Sequence, residues 1–250
     1  MKLIETQLPD APIVIEMLSD LHIGSPKCDI QMIQNRIKRI EETDNTYCMI
    51  VGDIINNSTK NSVGDTYTED LTPMQQVQMA VKLFEPIKDK IIAVTSGNHE
   101  RRSYKYDGVD LIYFMCAELG ISDKYDYVGT LNFLSFAGRH WLPTIYMTHG
   151  DGSSGRTVGG KANGLQRRGD IIDADVIVAG HTHMPFVFRD ATFKVDKSHR
   201  CIRKQETLYV NCSATLEYES YAELMGLPPS STASPRLIIN PEQRAIAALM

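Results

Sequence analysis

Apolar and polar residues fall in blocks along this chain. Short apolar runs rich in β-branched residues, at 13–18, 47–51, 91–95, 144–147 and 176–179, read as buried strands. Residues 131–137 add another strand, set apart from 144–147 by a turn near Gly138. Longer blocks carry a helical period. Ile30, Ile33, Ile37 and Ile40 predict a helix over residues 29–43, capped by Asp29. Thr72-Pro73 opens a second helix that runs to about Phe84, with Pro86 helping to end it. Residues 109–119 predict a short apolar helix stopped at Gly120. The polar stretch 56–70 reads as a long surface loop. Residues 151–169, rich in glycine and basic residues, fit either a flexible solvated loop or a border to a functional site. Beyond residue 183 the pattern predicts antiparallel strands at 186–188, 192–195 and 207–210, and a last short strand at 236–239.

Strands alternating with helices in the first half imply parallel βαβ units, whose ligands gather beyond the carboxyl ends of the strands. Each of the five short runs ends in a polar motif there. In order these are Ser19-Asp20-Leu21-His22, Gly52-Asp53, Ser96-Gly97-Asn98-His99-Glu100, Thr148-His149-Gly150 and Gly180-His181-Thr182-His183. Of 7 histidines, only His140 and His199 lie outside these motifs, and those two read as ordinary structural residues. Glu100 reads as a buried hydrogen-bonding residue.

Composition narrows the setting. At 250 residues with 42% hydrophobic content, the chain suits one globular domain over residues 1–250. No apolar run approaches the roughly 20 residues of a membrane span, and the first residues lack the apolar core of a signal peptide. Five scattered cysteines suit reduced thiols in a cytoplasmic protein. A net charge of -5 excludes a generic polyanion binder, so contact with nucleic acid needs a local basic patch.

The converging set is Asp20, His22, Asp53, Asn98, His149, His181 and His183. Mixed nitrogen and oxygen donors without thiolate suit borderline transition ions and exclude a calcium cage or an iron–sulfur cluster. Seven donors exceed one tetrahedral ion but fit two ions that share a carboxylate. Manganese is the first choice, with iron, zinc or nickel as alternatives.

These motifs, in this order, resemble the calcineurin-like metallophosphoesterase superfamily. The resemblance implies an α/β fold, a four-layer α/β/β/α sandwich of two mixed β-sheets flanked by helices. It implies that Asp20, His22 and His183 hold one metal, that Asp53 bridges, and that Asn98, His149 and His181 hold the other. His99 then matches the general acid or leaving-group stabiliser. The serine/threonine phosphatase branch has an aspartate three residues after the bridging one, which orients the catalytic histidine; this chain has Asn56 there, whose amide can still hydrogen-bond the His99 imidazole. An amide gives an imidazolium no charge stabilisation, which points to another branch.

The implied activity is hydrolysis of a phosphoester by in-line attack of a metal-activated hydroxide. Basic residues interleave with tyrosines at 101–106, beside His99, and suit a nucleotide or nucleic-acid phosphodiester. Arg101, Arg156 and Lys161 are the candidate substrate-binding residues. The alternatives are a phosphomonoesterase on a phosphoprotein or small metabolite, and a non-catalytic interaction module. Oligomeric state is open.

Overall fold

The structure is a computed structural model that describes residues 1–59, 62, 69–151, 157–218, 229 and 231–250. In chain order its elements begin with β1 (Lys2–Leu8), β2 (Ile13–Leu18), α1 (Ile30–Glu42), β3 (Thr46–Ile50), α2 (Pro73–Phe84) and β4 (Ile91–Thr95). Next come α3 (Asn98–Asp107), α4 (Leu111–Glu118), β5 (Tyr125–Asp126), β6 (Gly129–Phe136) and β7 (Thr144–Thr148). The chain ends with α5 (Val158–Gly169), β8 (Val176–Ala179), β9 (Phe186–Asp196), β10 (Cys201–Asn211), β11 (Arg236–Asn240) and β12 (Ala245–Leu249).

The strands form two six-stranded mixed sheets, ordered β1-β6-β7-β8-β10-β9 and β12-β11-β2-β3-β4-β5. Alternation within each strand sorts side chains between layers. Ile13, Ile15 and Met17 of β2 and Met49 of β3 enter the core between the sheets, with Ile145, Val176 and Val210 opposite. Cys48 and Ile50 of β3 point the other way, under α1, α2 and α4. Leu165 of α5 packs on Ile177 and Tyr209 at the outer face of the first sheet. The layers are therefore α/β/β/α, as the resemblance implies.

Local signals hold where they are strongest. Asp29 caps α1 by accepting from the Met32 amide, and Thr72 with Gln75 forms a capping box on α2. Glu16, polar within an apolar run, is buried and paired with Arg39 at 2.9 Å, which ties α1 to its sheet.

Other expectations change. β1 and β12 lie outside the predicted strands, so the strand at 236–239 is followed by another. The predicted runs 186–188 and 192–195 are one strand, because polar Arg189 and Asp190 continue the ladder with β10 in the solvated half of the hairpin. That hairpin's basic residues are largely paired, Lys194 with Asp173 and Arg203 with Asp196. Residues 158–169 form a helix capped by Thr157 rather than a loop. Gly169 allows close seating of its last turn on the sheet: a Cβ there would overlap the Tyr209 hydroxyl. Residues 98–107, which include the basic and tyrosine-bearing stretch 101–106, are a helix. The start of the predicted surface loop is buried, with Asn57 fully enclosed. No helix among the described residues is long and apolar enough to cross a membrane.

Candidate metal centre

The five motifs meet, though not at one sheet. Asp20, His22, Asp53 and Asn98 follow strands of the second sheet, and His149, His181 and His183 follow strands of the first. Main-chain bonds sew the turns together. The Asp20 amide donates to Gly52 O at 3.0 Å, His22 to Asp53 O at 3.0 Å, and Gly180 to His149 O at 3.0 Å. The turns are tight enough that Asp20, His22, Asp53, His181 and His183 all have φ between 48° and 68°. Side chains seldom adopt this left-handed conformation, and it persists only where the surroundings enforce it. The surroundings also require glycine: a Cβ at Gly97 would overlap the Asp53 carboxylate and amide.

Donor atoms cluster in three overlapping sets: Asp20, His22 and His183; Asp53, His149 and His181; and His22, Asp53 and His99. His183 Nε2 lies 3.1 Å from Asp20 Oδ1 and 3.3 Å from His22 Nε2. His149 Nε2 lies 3.1 Å from Asp53 Oδ2 and 3.1 Å from Asn98 Oδ1. His181 Nδ1 is 2.6 Å from the same Asn98 oxygen. Ligands about 2.1 Å from one metal and at right angles to each other stand about 3 Å apart. These spacings therefore match edges of coordination polyhedra.

Hydrogen bonds fix which ring nitrogens face inward. His149 Nδ1 donates to Val51 O at 2.7 Å, so its Nε2 lone pair points at the two acceptors Asp53 Oδ2 and Asn98 Oδ1. Three lone pairs aimed at one another need a proton or a cation among them. His22 Nδ1 donates to Asn56 Oδ1 at 3.2 Å, which leaves His22 Nε2 for the site. Such outer partners orient metal-binding imidazoles.

Electrostatics agree. Burial opposes ionisation of Asp20, but His183 and His149 outweigh it and hold the carboxyl down at about 2. Asp53 is likewise held well below the usual range against burial, by His149 and His99. Burial keeps His22, His99 and His181 neutral to lower pH than a free imidazole. Burial also disfavours charge on His149, yet Asp53 and Asp20 prevail and push it up to about 10. The donor set suits divalent metal, and the three sets are linked because His22 belongs to two of them and Asp53 to two.

Glu100, buried as expected, holds the turns as a hub. Its carboxylate accepts from the amides of Gly97 (2.7 Å), Asp53 (3.2 Å), Ile54 (2.5 Å) and Ile55 (3.0 Å). Burial and the nearby Asp53 raise it to about 7. Asn211 of β10 does similar work for the His-x-His turn, donating to Thr182 Oγ1 at 2.7 Å and Met184 O at 2.8 Å. No local signal in the sequence marks Asn211.

The expected side-chain partnership of Asn56 with His99 is not what the structure shows. The Asn56 amide serves His22, and its main-chain carbonyl accepts from His99 Nδ1 at 2.6 Å. His99 Nε2 then faces Asp53 Oδ2 at 3.8 Å. Arg101, expected to meet substrate, spends Nη2 on the carbonyls of Ser96 (3.0 Å) and Tyr127 (2.9 Å). Lys161 donates to Thr182 O at 2.9 Å and lines a cleft with Gly150, Arg168 and Gly180, next to His149 and His181. Arg156 lies outside the described residues. His140 and His199 are exposed and belong to none of the donor sets, with His199 paired to Asp196 at 2.8 Å.

The calcineurin-like phosphoesterase family model matches residues 15–185, the span that carries all five motifs. The chain belongs to this family. It is therefore a hydrolase of phosphoester bonds. Solved structures similar to this calcineurin-like phosphoesterase include Vacuolar Protein Sorting 29 from Cryptosporidium parvum, at 15% identity and TM-score 0.47, over 92% of this chain and 86% of that one. A metallophosphoesterase from Sphaerobacter thermophilus is 12% identical with TM-score 0.43, over 94% and 86%. The nuclease MPE of Pseudomonas putida is 14% identical with TM-score 0.38, over 94% and 87%. A comparison with curated proteins finds no match.

Proposed function

We propose that this calcineurin-like phosphoesterase is a dinuclear enzyme that hydrolyses a nucleotide or nucleic-acid phosphodiester, with manganese as the working metal. The observation that supports the reading is the chain of three overlapping donor sets at the edges of two sheets, in which His22 links Asp20 and His183 to Asp53, and Asp53 links His22 to His149 and His181. Asp20, His22 and His183 would hold one ion, Asn98, His149 and His181 the other. Two such ions supply Lewis acidity to phosphoryl oxygens and lower the pKa of an attacking water. His99 stands beside Asp53 with its ring fixed by the Asn56 carbonyl, and its role is to stabilise the departing oxygen by a proton or hydrogen bond. Lys161 and Arg156 are assigned to substrate phosphate, Lys161 from the cleft it lines beside the site. That cleft, which Arg168 also lines, favours the second reading, a phosphomonoesterase acting on a terminal phosphate. The full ligand set and His99 argue against a non-catalytic module. Cysteines free of disulfides suit the reducing cytoplasm.

The test compares bis-para-nitrophenyl phosphate, para-nitrophenyl phosphate and single-stranded DNA, each with Mn²⁺. The expected result is turnover of both diesters above the monoester. Turnover of the monoester alone would install the second reading, and no turnover of any of the three would favour the interaction module.

A further inference from the structure

Helix α3 joins the metal centre to an unusual piece of surface. It begins with Asn98 and His99 and turns Glu100 and Ser103 inward. Its remaining residues from 101 to 106 carry two arginines, a lysine and two tyrosines, with no carboxylate until Asp107. The protein as a whole has a charge of -5, so this is a local reversal of sign. Tyr104 and Tyr106 are 50% and 51% exposed. An aromatic ring costs more to leave in water than most side chains, and clustered exposed rings mark interaction surfaces.

The rings are held in place. Tyr104 meets Tyr127, from the turn before β6, at 4.8 Å between centroids and a 49° tilt. Arg101 fixes Tyr127 twice, by donating to its carbonyl at 2.9 Å and by lying 5.2 Å from its ring centroid. Lys105 sits 5.3 Å from the Tyr106 ring centroid. Arg102 lies one helical turn after His99 and donates to Ser62 Oγ at 3.1 Å, which places a cation beside the catalytic end of α3. The helix rises about 1.5 Å per residue, so Tyr104 stands about 9 Å along the axis from Asn98. That distance is beyond the reach of a single phosphate bound at the metals. A polymer with charge and flat faces reaches both.

We infer that the Tyr104–Tyr127 pair is a stacking platform for an unpaired base next to the scissile phosphodiester, with Arg102 and Lys105 along the backbone path, so that the substrate is single-stranded nucleic acid. The inference rests on the phosphodiesterase reading above and narrows it. Every base presents a π face, so the platform selects for an unpaired strand and not for sequence. Arg101 is a positioning residue in this arrangement: it keeps Tyr127 in place and need not touch substrate.

Base–aromatic stacking contributes about 1–3 kcal/mol per base, which is roughly a 5- to 150-fold change in affinity. Tyr104→Ala should raise KM on a single-stranded oligonucleotide by that factor with kcat within about twofold. Tyr104→Phe should retain wild-type KM, because the ring and not the hydroxyl stacks. Neither change should affect bis-para-nitrophenyl phosphate, and a fully paired blunt duplex should be a poor substrate for the wild type. An unchanged KM for Tyr104→Ala on single strands would overturn the platform and leave the phosphodiesterase reading standing. Equal losses on the oligonucleotide and the small diester would also overturn it, since they indicate a distorted site. A wild-type enzyme that cleaves the small diester but no DNA or RNA would overturn the nucleic-acid reading, and the platform with it.

Discussion

His99 faces a ligand on one side and a main-chain carbonyl on the other. Nδ1 is committed to Asn56 O, so only Nε2 can serve a leaving oxygen. A carbonyl orients the ring but stabilises imidazolium less than a carboxylate would. The residue is also within ligand distance of His22 and Asp53, so its role needs a measurement that separates metal binding from chemistry. His99→Ala should keep both metals and lose about 10²–10⁴-fold on an alkyl phosphodiester, toward the lower figure because no carboxylate supports the ring. It should lose much less on a para-nitrophenyl ester, whose leaving group hardly needs a proton. Metal content by elemental analysis beside the two rates decides the matter. Lost metal would make His99 a ligand, and equal losses on both esters would make it a phosphate-positioning group.

At the scale of elements, the junction of β4 with α3 carries most of the demands. Gly97 lies against Asp53, and Glu100, three residues on, accepts four amides from two turns. A methyl group at Gly97 has to displace the Asp53 backbone as well as its carboxylate. Gly97→Ala should therefore cost at least tenfold in metal affinity, a loss of about 1.4 kcal/mol or more. Gly159→Ala makes the control, since a Cβ there meets nothing within 4 Å and the residue is helical. It should leave metal binding intact and stabilise the fold by up to about 1 kcal/mol. Calorimetric titration with Mn²⁺ and thermal melts of both variants test the pair. Equal affinities would remove Gly97 from the argument.

For the whole molecule, the candidate ligands come from both sheets, so metal held by them would tie the two halves of the sandwich together. Ions that bind only the folded chain add about 2.7 kcal/mol each at 100 times their dissociation constant. For a chain of this size that is roughly 5–10 °C per ion. Mn²⁺ should raise the melting temperature accordingly and remain at two ions per chain after desalting. Asp53→Asn should abolish activity and most of the rise, whereas His199→Ala, exposed and paired with Asp196, should change neither. One ion per chain with full activity would refute the dinuclear site.

The sequence by itself determined the elements whose signal is short-range. Apolar runs gave β2, β3, β4, β7 and β8, period and caps gave α1 and α2, and the polar residues at those strand ends gave the candidate ligands. A motif that follows its strand is legible because strand direction and the site share one end. What the tertiary structure decided depends on partners distant in the chain. Alanine-rich β12 has little strand propensity and exists because β11 offers it a ladder. Glycine-rich α5 is a helix because Tyr209 and Ile177 receive it closely. The division of the ligands between two sheets follows from pairings such as β8 with β10, which no local pattern encodes. Asn56 shows the same limit within the site. Its side chain was readable as a partner for His99, but the fold gave that work to its carbonyl and turned the amide to His22, because main-chain direction is set by the packed turn and not by residue type.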